Sequence, residues 1–208
     1  MSDPRKKTVQ AGYDAISERY LAWSGEIEGD PRRRFLEELA RRLPDKANVL
    51  DLGCGAGVPS TRALAERFNV TGVDVSEEQL RLARENVPQA TFIQADFAEV
   101  SFPDETFDGV AAFYSISHVP RDEQAHLFQR IARWLKPGGL FLASLGSEGS
   151  EDCTGEWLGV PMFFSSHDAK TNRALLQQAG FALLVDEVVE MKEPDGPAAF
   201  LWVLAQGA

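Results

Sequence analysis

The sequence predicts an α/β fold organised around one strand–turn–helix unit, and three observations predict it. First, Val49-Leu50-Asp51-Leu52 is a short apolar run interrupted by one acid, with the length and content of a buried strand. Second, Gly53, Gly55 and Gly57 follow at alternate positions. Pro59 then fits the first turn of a helix over 61–68, where Leu64 and Phe68 share a face. Third, further apolar runs alternate with amphipathic stretches down to residue 145, as strands linked by crossover helices require. Glycines in such a turn admit the backbone close to a ligand. The helix start beyond them offers free N–H groups and the positive end of a dipole. The unit therefore points to a nucleotide-type ligand, and two fingerprints compete for it. A dinucleotide site wants Gly-x-Gly-x-x-Gly; here Ser60 stands where the third glycine belongs, and Asp51 sits inside the strand end.

Composition narrows the function classes. The 208 residues suit one domain with a sizeable core, and 44% hydrophobic content argues against disorder. A net charge of −11 leaves no general basic surface, so nucleic acid is not expected as a partner. The short basic runs Arg5-Lys6-Lys7 and Arg32-Arg33-Arg34 read as solvated helix faces. Cys54 and Cys153 give no disulfide framework, and with His118, His126 and His167 they form no metal-ligand spacing. The N-terminus is polar and no apolar run reaches membrane-spanning length. A cytoplasmic protein without a membrane partner is expected.

The remaining elements follow in order. Residues 8–24 carry Val9, Tyr13, Ile16 and Tyr20 at helical spacing, and a second helix over 32–43 turns Phe35, Leu36, Leu39 and Leu43 inward. The second strand, 70–73, ends on Asp74 and Val75. An acid there, about 20 residues past the glycine loop, accepts both hydroxyls of a ribose in either competing family. Ser76 and Gln79 form a capping box for the next helix. A third strand, 91–95, ends in Asp96-Phe97, where a carboxylate and a ring suit an adenine. The fourth strand, 107–113, runs into Tyr114-Ser-Ile-Ser-His118, on the edge where parallel sheets bind ligands. His118 is read either as a general base or as a pocket wall. A helix over 121–135 stops at Lys136-Pro137-Gly138-Gly139 and feeds a fifth strand, 140–145. Residues 146–166 read as an irregular apolar loop, either a lid or specificity wall or a satellite hydrophobic cluster. A helix over 168–179 and a hairpin of strands 181–191 and 198–205 complete the chain.

Val49-Leu-Asp-Leu-Gly-Cys-Gly-Ala-Gly57 resembles the first motif of the class I S-adenosylmethionine-dependent methyltransferases. Asp74, Asp96-Phe97, Phe107-Asp-Gly-Val110 and Leu135-Lys-Pro-Gly-Gly139 resemble that family's later motifs in the same order. Tyr13-x-x-x-Ser-x-x-Tyr20 is similar to the N-terminal segment of its small-molecule members. The resemblance implies S-adenosyl-L-methionine as cofactor. It also implies a Rossmann-like seven-stranded sheet of order 3-2-1-4-5-7-6, with strand 7 antiparallel and helices on both faces. It places Asp51, Gly53, Cys54, Gly55 and Gly57 at the methionine end, Asp74 and Val75 at the ribose, and Asp96 and Phe97 at the adenine. Phe113, Tyr13 and Tyr20 close the site. Residues 1–44 become a helical cap and 45–208 the core, with 146–166 as the lid loop. The Asn/Asp-Pro-Pro-Tyr and Pro-Cys signatures of nucleic-acid and protein methyltransferases are absent, which leaves methylation of an O, N, S or C atom of a small molecule. A non-catalytic binder of the same cofactor, or a dinucleotide-dependent oxidoreductase, are the alternatives.

Overall fold

A computed structural model describes residues 3–208. Two helices open the chain, α1 (Pro4–Ser24) and α2 (Arg32–Arg42). Asp3 caps α1 by accepting from the Arg5 N–H, and Pro4 takes the first turn, so the helix starts ahead of the expected residue 8. The core then runs β1 (Asn48–Leu52), α3 (Ser60–Ala65), β2 (Asn69–Asp74), α4 (Glu77–Asn86), β3 (Thr91–Gln94) and β4 (Phe107–Ala112). A short 3-10 turn (Ile116–His118) precedes α5 (Arg121–Trp134) and β5 (Leu135–Gly146). After a hairpin of β6 (Ser150–Trp157) and β7 (Val160–Ser166) come α6 (Ala169–Gln178), β8 (Ala182–Glu193) and β9 (Gly196–Gln206).

Seven strands form one sheet in the order β3-β2-β1-β4-β5-β9-β8. The first five are parallel, while β9 runs antiparallel to both β5 and β8. This is the expected order and polarity, with the last two strands renumbered because of the added hairpin. That hairpin corrects the reading of 146–166 as irregular. Leu158 and Gly159 both take positive φ between Trp157 and Val160, which is the turn a two-residue hairpin needs. Strand β6 is exposed almost throughout, so it shows no apolar alternation to reveal it.

Alternate residues of β1 feed opposite faces of the sheet, as a pleated strand must. Leu50 and Leu52 join Phe128, Ile131 and Phe141 under α5 and α6. Val49 joins Leu39, Leu142 and Trp202 under α2 and α3, where Phe35 stacks on Trp202 at 4.8 Å. Each such side chain contributes about 1.5–3 kcal/mol of burial. A third, smaller cluster fixes the cap: Val9 and Ile16 of α1 pack on Met162 and Phe163 of β7. Helix α1 and the hairpin thus sit together above the ends of β1, β2 and β4.

Candidate active site

The loop after β1 is held by backbone groups. The N–H groups of Gly53 and Cys54 both donate to the Val73 carbonyl, at 2.7 and 3.1 Å. Gly53 has φ +72, and a Cβ there would lie 2.3 Å from that of Ser115, so only glycine fits. Gly57 has a different job. A Cβ on it would meet Val87 at 3.0 Å, so it lets α4 pack close and lies outside the cleft wall. Gly53, Cys54 and Gly55 do line the cleft.

Two carboxylates enter this cleft. Asp51 is 1% exposed and accepts from the Thr61 hydroxyl at 2.6 Å. Asp74 accepts from the Gly55 N–H at 2.8 Å and the Ser76 N–H at 3.0 Å. Burial pushes both up to about 6, against the hydrogen bonds that pull them down. Each would return toward the ordinary range on meeting hydroxyl or ammonium donors.

The helix cap beyond Asp74 departs from the expected capping box. Ser76 Oγ accepts from the Gln79 N–H at 3.1 Å, so half of the box forms. The return bond does not, because Asp74 has taken the Ser76 N–H. The Gln79 side chain instead lines the cleft, is 1% exposed, and has no partner at either Oε1 or Nε2. Buried amides are rarely left so.

At the far end, Val75 and Phe97 line the cleft and a small adjoining cavity that also touches Asp96. Asp96 Oδ1 accepts from the Ala98 N–H at 2.8 Å, and Oδ2 lies 3.1 Å from Lys6 Nζ. Lys6 is 7% exposed and also pairs with Glu99 and Glu123 at 3.3 and 2.6 Å. The expected solvated role of this lysine is therefore wrong: α1 turns it inward, onto the proposed adenine acid. Helix α1 is tied down again by Asp14, which accepts from Ser76 Oγ at 2.6 Å.

Phe113, Tyr13 and Tyr20 line the cleft as expected. His118 also lines it, and its hydrogen bonds assign its protons. Its Nδ1 lies 2.8 Å from the Phe163 carbonyl, which can only accept, so Nδ1 carries the hydrogen. Its Nε2, 2.8 Å from Tyr13 Oη, then accepts from the phenol. Burial lowers the imidazole to about 4, so the ring is neutral near neutral pH. His118 presents no free base to the cleft, because Tyr13 stands on its lone pair.

A second cavity adjoins the first beneath α1 and the hairpin. Tyr13, Tyr20, Arg32, Tyr114 and His118 line both. Tyr114 has φ +56, an uncommon conformation for a ring residue, and Ser144 Oγ accepts its N–H at 2.7 Å. Its hydroxyl donates to Asp30 at 3.1 Å, and the Arg32 guanidinium lies 5.0 Å over its ring. Sequence reasoning placed Tyr114 on the ligand edge without giving it a role, and missed Lys6, Gln79 and Arg32. The capping-box glutamine and the unbroken stretch after β4 held the signals for Gln79 and Tyr114.

A doubly covered sheet with a glycine loop, acids within the ends of β1 and β2 and just past β3, and a second cavity joined to the first is the architecture of an α/β domain with its ligand cleft at the carboxyl ends of the strands. The methyltransferase-domain family matches residues 49–139. Methyltransferase GfsG of Streptomyces halstedii is 33% identical over 210 residues, 91% of this chain and 72% of that protein. The 27-O-demethylrifamycin SV methyltransferase of Amycolatopsis mediterranei is 32% identical over 160 residues, 67% of this chain; those residues span 58% of that relative's length. The 1,6-didemethyltoxoflavin-N1-methyltransferase of Burkholderia thailandensis, solved with S-adenosylhomocysteine, shares the fold at a TM-score of 0.74. It is 20% identical, with 100% of this chain and 92% of that one covered. The chain belongs to the class I S-adenosylmethionine-dependent methyltransferases, and S-adenosyl-L-methionine is the family's cofactor.

Proposed function

We propose that the protein transfers a methyl group from S-adenosylmethionine to an O, N, S or C atom of a small molecule seated in the second cavity. The observation that carries this reading is the shared wall: five side chains face both cavities, so a donor in one and an acceptor in the other meet there. Two relatives act, by name, on rifamycin- and toxoflavin-type small molecules, which supports the acceptor class. No helix among the described residues is long and apolar enough to cross a membrane.

The cofactor-binding roles are part of the proposal. Asp51 accepts from the amino group at the methionine end. Asp74 and Val75 hold the ribose, with Gln79 supplying further hydrogen bonds. Asp96 and Phe97 flank the adenine, with Lys6 sharing the carboxylate. The unpartnered Gln79 amide and the two acids raised by burial are what a polar ligand would satisfy. When bound, S-adenosylmethionine supplies a methyl group that its own sulfonium charge activates toward an acceptor lone pair.

The protein's part is mainly positioning. The Tyr13–His118 pair adds a proton path. Tyr13 has given its hydrogen to His118 Nε2, so its oxygen has lone pairs with which to accept an acceptor X–H. A base lowered to about 4 is too weak to ionise a hydroxyl in the ground state. It suffices once the methyl has arrived and the acceptor is cationic and acidic. The proton then passes to Tyr13 as Tyr13 passes its own to His118. The test is a small-molecule library screened for acceptor-dependent release of S-adenosylhomocysteine. Tight cofactor binding with no release from any compound would favour the non-catalytic binder instead.

A further inference from the structure

The second cavity carries information about its occupant. Four of its rings enclose one side: Tyr20, Trp23, Trp157 and Phe164. Trp157 lies 5.6 Å from Tyr20, 5.4 Å from Trp23 and 5.8 Å from Phe164, mostly edge to face, while Tyr20 and Trp23 stack at 6.1 Å. Ring faces present negative charge, and a cation is the ligand they favour over a neutral group of the same shape.

Two ionised side chains reach the same cavity, Arg32 and Glu193. Arg32 is already compensated. Asp30 accepts from its Nε at 2.6 Å and pairs with Nη2 at 2.5 Å, and Tyr114 covers its face. Glu193 is half-buried at the end of β8 and has no ion-pair partner among the described residues. Its neighbour Lys192 is committed to Glu28 at 3.3 Å, and Asp195 nearby is negative and accepts from Trp23 Nε1 at 3.2 Å. The single uncompensated charge on the cavity wall is therefore a carboxylate beside a ring cluster. Burial and Asp195 also raise Glu193 above its ordinary value, a strain that a bound cation would relieve.

We propose that the acceptor is an organic cation: an apolar or aromatic molecule whose ammonium group rests among Tyr20, Trp23 and Trp157 and pairs with Glu193. The inference rests on the reading that this cavity holds the acceptor. A protonated amine has no lone pair, so the charged group is a handle and not the methylated atom. The nucleophile is a second atom of the same molecule, placed at the wall of Tyr13 and His118.

The test uses three phenyl compounds of matched size on protein saturated with S-adenosylhomocysteine: phenethylamine, 2-phenylethanol and 3-phenylpropanoate. Calorimetric titration near neutral pH reads each. Phenethylamine is expected to bind about tenfold or more tighter than the alcohol, and phenylpropanoate weakest. Glu193→Gln should cut the amine's advantage over the alcohol by about fivefold or more, leaving the part the rings supply, without changing affinity for S-adenosylhomocysteine. Tightest binding of the carboxylate would overturn the proposal and hand the cavity to Arg32. So would equal affinities of amine and alcohol, an amine preference undiminished by Glu193→Gln, or no saturable binding of any probe. Binding of S-adenosylhomocysteine is measured first and separately. Its failure would sink the methyltransferase reading, whereas its success with no cation preference sinks only this inference.

Discussion

Replacing Gln79 with methionine separates a ligand-binding role from a packing role in one variant. The two side chains have similar length and volume, so the core around the 1% exposed site is filled either way. Methionine removes an amide whose donor and acceptor atoms both lack partners. An unsatisfied buried group costs about 1–3 kcal/mol. The ligand-free variant should therefore be more stable than wild type by about 1–2 kcal/mol, or about 2–8 °C in melting temperature for a chain of this size. The helix start is not disturbed, because the bond from Ser76 Oγ runs to the Gln79 backbone N–H. Affinity for S-adenosylhomocysteine should fall by about 5- to 30-fold, the loss of one or two hydrogen bonds. Thermal unfolding with and without ligand, beside calorimetric titration, reads both signs. A methionine variant that melts lower and binds ligand as wild type does would refute the reasoning and make Gln79 a structural residue.

Other outcomes follow from the same geometry. Tyr13→Phe should lower turnover on an O–H or N–H acceptor by about 10- to 100-fold, below the full general-base range because His118 is a weak base. The Tyr13→Phe, His118→Ala double variant should lose no more than the larger single loss; additive losses would break the pair. The rate should show no His118 limb between about pH 5 and 8, since the group titrates at about 4, and a limb in the ordinary histidine range that vanishes in His118→Ala would restore it as a direct base. Asp51 and Asp74 at about 6 sit above their unfolded values. Their contribution to ligand-free stability is present below about pH 4 and lost as pH rises through about 6. Affinity for S-adenosylhomocysteine should move oppositely, tightening about tenfold from about pH 5 to 7 as the acids ionise onto its donors; a flat profile would remove them from the contact. Lys6→Met should speed hydrogen exchange in α1 and in 150–166, with added ligand slowing it again, and unchanged exchange would show that the lysine does not hold the cap.

The fold was legible where burial dictates composition. Parallel strands covered on both faces must be apolar runs, and β1, β2 and β4 are. The acids Asp51 and Asp74 were legible because each interrupts or ends such a run. Gly57 was misplaced because glycine spacing does not distinguish a ligand approach from a helix approach, and here Val87 decides it. The hairpin β6–β7 was hidden because only β7 is largely buried, against α1 and the turn that carries His118. Lys6 and Gln79 were hidden for a related reason. A lysine in a basic run and a glutamine in a capping box each have an ordinary surface role. Only tertiary neighbours, three carboxylates for one and Asp74 for the other, take them out of it. His118 was placed correctly along the chain, yet its role depends on Tyr13, 105 residues away.

Helix α1 lines both cavities through Tyr13 and Tyr20, and the same helix carries Lys6 and Asp14 to the core. If the proposed reaction requires that helix to lift before either chamber refills, the two chambers share one door. One opening step then gates the arrival of acceptor, the departure of methylated product and the exchange of spent donor. Acceptors of very different intrinsic reactivity would share a common turnover ceiling. That ceiling would fall with solvent viscosity and rise in Lys6→Met, which removes the buried ion pairs holding the helix.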